Sequence, residues 1–125
     1  MLWMEEAVKY VLLICRDEPA WDELGAAERG RIYAETSELS EELAARGQYL
    51  GGFPLHPSSS ATSVRVREGK RLVTDGPFAE TREQLGGYVI IDVRDLDEAL
   101  AIAARVPLAR TGTVEVRPVR EGPPA

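Results

Sequence analysis

The sequence predicts an α+β fold, and three observations carry that prediction. Two short, nearly continuous apolar runs, KYVLLIC (residues 9–15) and YVIIDV (residues 88–93), are typical of strands buried on both faces. Two other segments have helical apolar spacing, and a third alternates apolar and polar residues around a glycine turn. At 125 residues, the chain is expected to form one domain over residues 1–125, with a core that needs no disulfide or structural metal.

The first helix is predicted from about residue 25 to residue 46. Its buried side consists of residues at the i, i+4, i+7 and i+11 positions, namely Ile32, Thr36, Leu39 and Leu43. Gly47 follows directly, as the C-terminus of a helix prefers. The preceding segment RDEPAWDE (residues 16–23) is polar and contains a proline, so it is predicted to be a loop.

The middle of the chain predicts an irregular strand and then a hairpin. QYLGGFPL (residues 48–55) is weakened as a strand by two glycines and interrupted by Pro54. After a serine-rich loop, TSVRVREGKRLVT (residues 62–74) alternates apolar and polar positions on both sides of Glu68-Gly69. This is the pattern of a β-hairpin with a short turn.

The last part of the chain predicts a second helix and an edge strand. Asp95 is a candidate N-cap, and Glu98 stands at the third helical position, as in a capping box. Pro107 is expected to end the helix, and Pro118 in TVEVRPV (residues 113–119) favours an edge strand. The buried stripe of the helix is predicted to contain Leu96, Ala99, Leu100 and Ala103.

The element order is β-α-β, a hairpin, then β-α-β, which is the split βαβ plan of ferredoxin-like folds with an inserted hairpin. Two helices cover only one face of such a sheet, yet the apolar runs place apolar side chains on both faces. A second copy of the chain, related by a two-fold axis, is the commonest cover for the other face. The sequence therefore predicts a homodimer in the form of a dimeric α+β barrel.

The net charge of −6 disfavours nucleic acid as a partner, because a phosphate backbone is met by clustered basic groups. The excess of acids lies in the first 50 residues, which carry 11 acids and 5 bases. One basic cluster flanks the hairpin turn, where solvated edge-strand charges and anion binding are the two interpretations. Its members are Arg65, Arg67, Lys70 and Arg71.

The cysteine and histidine content limits the chemistry that the chain can perform. Cys15 is the single cysteine, which excludes a disulfide framework or an all-cysteine metal site and fits a reducing cytoplasm. No metal-ligand spacing, phosphate loop or nucleophile elbow is present, so no cofactor is expected. The acidic opening MLWMEEAVKY and the lack of a long apolar run predict neither export nor membrane insertion.

The run VTDGPFAETREQLGGY (residues 73–88) concentrates specialised residues in one place. Asp75-Gly76 is expected to reverse the chain, and Pro77 to stiffen the turn by restricting Gly76 to extended conformations. Phe78 is expected to anchor the loop, and the paired glycines to let the backbone enter a closely packed strand. Such a loop would hold its carboxylates at a reproducible position, as a binding site requires.

The segment DGPFAETREQLGGY resembles the signature of the YCII-related family in its DGPF-domain branch. The similarity extends through ATSVRVREGKRLVTDGPFAE, DLDEALAIAARVP and TVEVRPV, which together span most of the chain. The resemblance implies a dimeric ferredoxin-like α+β barrel. It also implies a protein partner in a sigma-factor pathway, because such genes often lie beside those of extracytoplasmic-function sigma factors. It implies no particular reaction.

His56 and Asp75 are the candidate catalytic residues. An imidazole within reach of a carboxylate is a suitable general base, since the acid fixes the tautomer and stabilises the imidazolium. More distant YCII-like proteins include an enzyme that removes chloride from a chlorinated hydroquinone with a His-Asp pair. His56 follows the second strand, whereas that histidine occurs early in the chain. The alternatives are a plain loop histidine and an aspartate that caps its own turn.

Four further residues are candidates for substrate binding. Glu80 is not needed for turn geometry, although it could pair with an arginine instead. Arg65 would bind a carboxylate if its strand directs it into a cavity, and it would otherwise be exposed. Tyr88 is expected to be half core and half pocket wall, and Phe78 is the apolar contact of the motif.

Two functions remain open on the sequence. One is a non-catalytic module that binds a small molecule or a protein partner, with the acidic first helix as the partner surface. The other is a cofactor-free acid-base enzyme of the isomerase or lyase type, acting on a small polar or aromatic metabolite. The lack of a complete catalytic set favours the binding module.

Overall fold

The computed structural model describes residues 7–121. The acidic opening used to argue against an export signal lies mostly outside this range, in residues 1–6. The described elements are, in chain order, β1 (Val8–Asp17), α1 (Glu18–Glu23), α2 (Ala26–Ala45), β2 (Tyr49–Pro54), β3 (Thr62–Arg67), β4 (Lys70–Asp75), β5 (Glu83–Val93), α3 (Leu96–Ala103) and β6 (Thr113–Pro118). Short 3-10 helices occur at Ser58–Ser60 and Pro107–Arg110.

The main sheet has four strands in the order β2-β5-β1-β6, and neighbouring strands are antiparallel. The two apolar runs form the central strands β5 and β1, as predicted. β6 lies at an edge, which confirms the interpretation of Pro118. The predicted hairpin forms a separate two-stranded sheet, β3-β4. The α+β class is therefore confirmed.

The hydrophobic core lies on one side of the main sheet, beneath α2 and α3. In β1, the alternate residues Tyr10, Leu12 and Ile14 are buried, while the residues between them are half-buried. We call the side on which these three residues lie the covered face and the opposite side the open face. The buried cluster is completed by Leu39, Leu43, Ile91, Val93, Ala99, Ile102, Ala103 and Val106.

The long helix α2 agrees closely with the prediction. It begins after Gly25 and ends at Ala45, within two residues of the expected bounds. Leu39 and Leu43 are buried against the sheet, as their spacing predicted. Ile32 is only half-buried, because it lines a cavity between α2 and the sheet instead of packing against core side chains.

The second helix forms where it was predicted, but two of the four residues predicted for its buried face do not belong to the core. The Asp95 side chain caps α3 by accepting a hydrogen bond from the Glu98 backbone N–H at 2.9 Å. Leu96 and Leu100 are about half exposed, at 48% and 47%, and they do not belong to the core. The buried residues are instead Ala99, Ile102, Ala103 and Val106, which follow the i, i+3, i+4, i+7 spacing. This row continues past the C-terminus of α3, and it therefore buries more apolar surface.

Two elements differ from the expected bounds. The supposed loop at residues 16–23 contains the end of β1 and the helix α1, which Asp17 caps by accepting a hydrogen bond from the Ala20 N–H at 3.0 Å. Pro19 is compatible with this helix because it stands in the first turn, where its missing N–H has no helical partner. β5 begins at Glu83, five residues earlier than expected, and includes the buried pair Gly86 and Gly87.

The β3-β4 hairpin projects from the sheet with little cover. Its turn residues Glu68 and Gly69 have φ values of 52° and 75°, the left-handed pair that a two-residue hairpin turn requires. Val64, Val66 and Val73 share one side of the hairpin, and each is more than half exposed.

None of the helices within residues 7–121 is long and apolar enough to cross a membrane.

Candidate functional site

A cavity of about 420 Å³ lies on the covered face, between the middle of α2 and the end of the sheet. Its floor is formed by β1, β2 and β5, and its roof by α2. Most of the lining is apolar, from residues that include Ile14, Ile32, Tyr49, Val89, Val106 and Leu108. We call it the Arg16 cavity, because Arg16 is the one basic side chain among the described residues that line it.

Arg16 reaches this cavity because it continues the alternation of β1 on the covered face. It follows Tyr10, Leu12 and Ile14 at intervals of two residues. The residue pairs with Gln84 just beyond an irregularity where β5 carries an extra residue, Gly86. A charged side chain thus occupies the last core-facing position of a central strand.

The Arg16 side chain is held between aromatic and glycine contacts. Its Cζ atom lies 4.5 Å from the centre of the Trp21 ring, a cation-π distance. Trp21 in turn meets Tyr33 of α2 edge-on, with ring centres 5.6 Å apart. A Cβ at position 86 would come within 3.1 Å of Nε of Arg16, so Gly86 provides the room in which the guanidinium lies.

His56 lines a smaller cavity of about 240 Å³ that shares Arg16, Trp21 and Tyr33 with the first one. The loop after β2 that carries His56 is tied to α1 through Glu18. That carboxylate accepts a hydrogen bond from the Ser58 N–H at 2.7 Å and another from the Ser58 hydroxyl. The structure therefore places His56 close to Arg16, while its own side chain is exposed.

The motif loop, residues 76–82, borders a third cavity of about 500 Å³, whose lining residues are mostly polar or charged and include Glu80. Arg82 forms an ion pair with Asp17 at 3.3 Å and so joins the loop to the end of β1. The Gln84 side chain holds the loop from within by donating to the carbonyl oxygens of Ala79 and Thr81, both at 3.2 Å. These contacts connect the loop to the end of β1 and link its own backbone, and Glu80 remains exposed.

Asp75 and Gly76 form the turn that the sequence predicted. Asp75 ends β4 and is exposed, while the Gly76 N–H donates to the Ala61 carbonyl at 2.7 Å. The Ser63 hydroxyl donates to the Gly76 carbonyl at 2.8 Å, which fixes the turn on β3. Gly76 has a φ of 96° and is not in the extended conformation expected from Pro77, because glycine has access to positive φ.

The other predicted site residues lie apart from one another. Asp75 ends β4, at the opposite end of the hairpin from its turn, and lines neither the Arg16 cavity nor the His56 cavity, so the two catalytic candidates are not brought into one site. Arg65 is exposed on β3. Phe78 is 81% exposed, so it does not anchor the motif loop within its own chain.

Tyr88 belongs to the open face as well as to the cavity border. It is paired with Leu13 of β1 and with Phe53 of β2, and its ring meets Phe53 edge-on at 6.5 Å. The prediction of a residue that is half core and half pocket wall agrees with its half-buried position. Phe53 itself is 69% exposed.

Cys15 lies in the same open-face row as Leu13. Its thiol is half-buried, and burial raises its pKa, with further increases from the carboxylates of Glu115 and Glu83. A raised pKa means little thiolate near neutral pH, so this cysteine is a weak nucleophile.

The acidic side of α2 is partly neutralised by arginines of the same chain. Glu28 pairs with Arg31, Glu42 pairs with both Arg46 and Arg105, and Glu35 makes a two-pronged contact with Arg110. The two Glu35–Arg110 distances are 3.0 and 3.1 Å. These contacts leave less free negative charge on α2 for a basic partner than the sequence suggested.

Sequence reasoning missed Arg16, Trp21 and Tyr33. A usable signal for Arg16 was present, because extending the period-two alternation of the apolar run by one step puts this charge on the buried side. Trp21 was hidden in a segment interpreted as a loop. Within residues 7–121, no group of three or more His, Cys, Asp or Glu side chains is arranged to hold a metal ion.

Comparison with known proteins identifies the family. Residues 8–122 match the model of the YCII-related domain. The chain belongs to the YCII-related family. An uncharacterised protein of Rhizobium meliloti (strain 1021) is similar to it, with 36% identity over 112 residues that cover 88% of this chain and 90% of the relative. The matched region runs from β1 to beyond β6, so all three cavities lie within the YCII-related domain.

Proposed function

We propose that this YCII-related protein is a homodimeric module that binds a small molecule in the Arg16 cavity. The observation that carries this proposal is a concave, mostly apolar cavity of about 420 Å³ with a single basic side chain among its described lining residues. Ligand sites have this volume and this composition, in which apolar walls supply affinity and a few polar groups fix the orientation.

A second copy of the chain is the partner that best fits the open face. The strand order β2-β5-β1-β6 matches the split βαβ plan of ferredoxin-like folds, in which helices cover one face of the sheet. The open face then presents Val11, Leu13, Tyr88 and Ile90 in paired rows, beside the exposed ring of Phe53. A continuous apolar surface of this kind favours an interface, and two sheets packed face to face would form the α+β barrel.

The hairpin supports the same proposal independently. A two-stranded hairpin on its own is marginally stable in water, yet β3-β4 leaves Val64, Val66 and Val73 exposed on one side. One chain thus carries two uncovered apolar surfaces, the open face and this side of the hairpin. Both are covered together if the hairpin packs against the partner subunit in a two-fold dimer.

Sedimentation velocity with two matched variants tests the dimer. Phe53→Ser removes an exposed apolar ring from the open face, and Leu100→Ser makes a similar change on the exposed side of α3. We expect a dimer for the wild type and for Leu100→Ser, and a shift toward monomer for Phe53→Ser. A wild type that sediments as a monomer at micromolar concentration would overturn the dimer and leave the ligand proposal standing.

A thermal-shift screen of metabolites and small carboxylic acids tests ligand binding, since a ligand that binds the folded state raises the apparent melting temperature. Ser40→Trp fills the Arg16 cavity from α2, and Asp75→Asn changes the end of β4 without touching that cavity. Compounds that stabilise the wild type should lose their effect in Ser40→Trp and keep it in Asp75→Asn. The reverse pattern would move the site to the motif loop.

Acid-base catalysis is the alternative function, and one observation favours it. His56 borders a cavity that adjoins the Arg16 cavity, so a bound ligand would lie near an imidazole. Asp75 is not part of that cavity, which is why we rank binding above turnover. The assignment to the DGPF branch and a partner in a sigma-factor pathway are proposals that follow from the motif at residues 75–88.

A further inference from the structure

We propose that the Arg16 cavity selects a small organic anion, an aromatic or cyclic carboxylate whose charged group pairs with Arg16 and whose apolar body fills the cavity. This inference rests on the proposed ligand-binding function and adds the chemical class of the ligand. Three features carry it: a guanidinium without a partner, a fixed orientation of that guanidinium, and an apolar space beside it.

The guanidinium of Arg16 has no partner within residues 7–121. Its Nε atom is buried and makes no hydrogen bond, and no carboxylate lies within ion-pair distance of the side chain. Some other arginines that reach across to a different element do have a carboxylate partner. Arg82 pairs with Asp17, and Arg110 pairs with Glu35. A buried N–H donor without an acceptor is costly, so an anion that accepts from Nε of Arg16 is favoured.

The orientation of the guanidinium is fixed before any ligand arrives. The Trp21 ring lies against it at 4.5 Å, and the Cβ-free backbone of Gly86 allows it to lie close to β5. The planar guanidinium then presents its remaining N–H groups in one defined plane, where the two oxygens of a carboxylate can accept hydrogen bonds from them. Little side-chain entropy is then lost when the anion binds.

The space beside Arg16 fits an apolar ring. The aromatic side chains Trp21, Tyr33 and Tyr49 line the cavity together with aliphatic groups from the sheet and α2. A phosphate or another small inorganic anion would leave these walls in contact with water. An organic body covers them, and its burial contributes in proportion to the apolar area removed from solvent.

The negative charges nearest to the site do not satisfy Arg16. Glu41 is the one acid among the described lining residues of the Arg16 cavity, and it is exposed on α2, where water and salt screen it. Glu18 and Asp22 border the adjoining cavity. Both oxygens of Glu18 accept hydrogen bonds from Ser58, and neither carboxylate forms an ion pair with Arg16. An anionic ligand would supply the acceptor that Arg16 lacks.

Protein-observed NMR titrations with matched probes test this inference. The probes are 2-naphthoate and indole-3-acetate, each compared with its neutral amide, which keeps the shape and removes the charge. In the wild type, we expect each acid to bind about tenfold more tightly than its amide, with shifts at residues that line the cavity. Arg16→Met should abolish that preference. Arg31→Met, which removes the same charge from the exposed side of α2, should keep it.

The outcomes separate this inference from the proposed function. Equal binding of acid and amide in the cavity would overturn the role of Arg16 and leave small-molecule binding intact. No binding of any of the four compounds would contradict both. Shifts confined to the open face around Leu13 and Ile90 would also overturn the inference. If Arg16→Met does not fold, Arg16→Lys replaces it, because an ammonium keeps the charge without the planar guanidinium and should retain only part of the preference.

Discussion

The two faces of the main sheet are made by the same strands and have different surroundings. In β1, Leu12 is 1% exposed beneath α2, while its neighbour Leu13 on the open face is only half-buried. Both faces are apolar, because β1 and β5 are apolar at consecutive positions. The difference teaches that the helices of this chain complete one face, and that the other face keeps its apolar side chains available to the second copy proposed above.

Truncation of neighbouring leucines is the strongest test of this difference. Leu12→Ala should lower the free energy of unfolding by about 3 kcal/mol, since it leaves a cavity in a packed core. Leu13→Ala should cost about 1 kcal/mol in dilute protein and more at high concentration, where a second copy would cover it. Urea denaturation at two protein concentrations measures both values. Equal losses at every concentration would show that the two faces do not differ in cover.

Glycine substitutions near the covered face test its packing, with a smaller expected change in stability. Gly30 lies in the interior of α2 with open space around its missing Cβ, so Gly30→Ala should stabilise the protein by about 1 kcal/mol. A Cβ at Gly52 would come within 2.3 Å of the Tyr88 carbonyl oxygen, so Gly52→Ala should destabilise instead. Thermal denaturation of both variants shows whether each substitution raises or lowers the melting temperature. A stabilising Gly52→Ala would contradict the close approach of β2 to β5.

The sequence predicted the sheet better than it predicted the cavity. Apolar runs at consecutive positions identify central strands whatever covers them, and the Asp95 cap is a local feature that needs no tertiary information. The choice of Ile102 over Leu100 as a core residue depends on how α3 is rotated against the sheet, which local spacing does not fix. The Arg16 cavity combines residues of β1, α1, α2, β2 and β5, and one of these elements, α1, was interpreted as a loop.

The motif at residues 73–88 shows a second limit of prediction from sequence, because residues that suggest a binding site can have a structural use instead. Its conspicuous residues predicted a binding site, and the turn at Asp75 and Gly76 is present. Much of that composition has a structural use, because Arg82 pairs with Asp17 and Gln84 holds the loop backbone. Gly86, Gly87 and Tyr88 connect the motif with the Arg16 cavity, and Gly86 does so through the space that it leaves for the guanidinium.

Alkylation of Cys15 reports on the open face with a modest expected effect. The raised pKa of the thiol predicts slow reaction with iodoacetamide near neutral pH, and a rate that increases as the pH rises above the ordinary value of 9.0. If a second copy covers the open face, the rate should also fall several-fold as the protein concentration is raised into the range where dimers form. Mass spectrometry of timed samples measures both dependences. A rate equal to that of the urea-unfolded chain would mean that the open face is bare.

The smallest expected effect concerns the contact that holds α2 over the covered face. Hydrogen bonds from Arg110 lower the pKa of Glu35 below its ordinary value of 4.5, so the folded state favours the charged carboxylate. The stabilisation is therefore present above the pKa of the unfolded chain and is lost as the pH falls through the lower pKa of the folded protein.

Glu35→Gln should accordingly lower the melting temperature slightly near pH 7, because an exposed pair contributes little, and this effect should disappear at an acidic pH that protonates the carboxylate in the folded protein. Glu38→Gln, a neighbouring acid on α2 that makes no ion pair within the described residues, is the matched control. It should leave the melting temperature almost unchanged at both pH values. A Glu35→Gln effect that persisted at acidic pH would show that the side chain stabilises α2 by packing over the covered face and not by its charge.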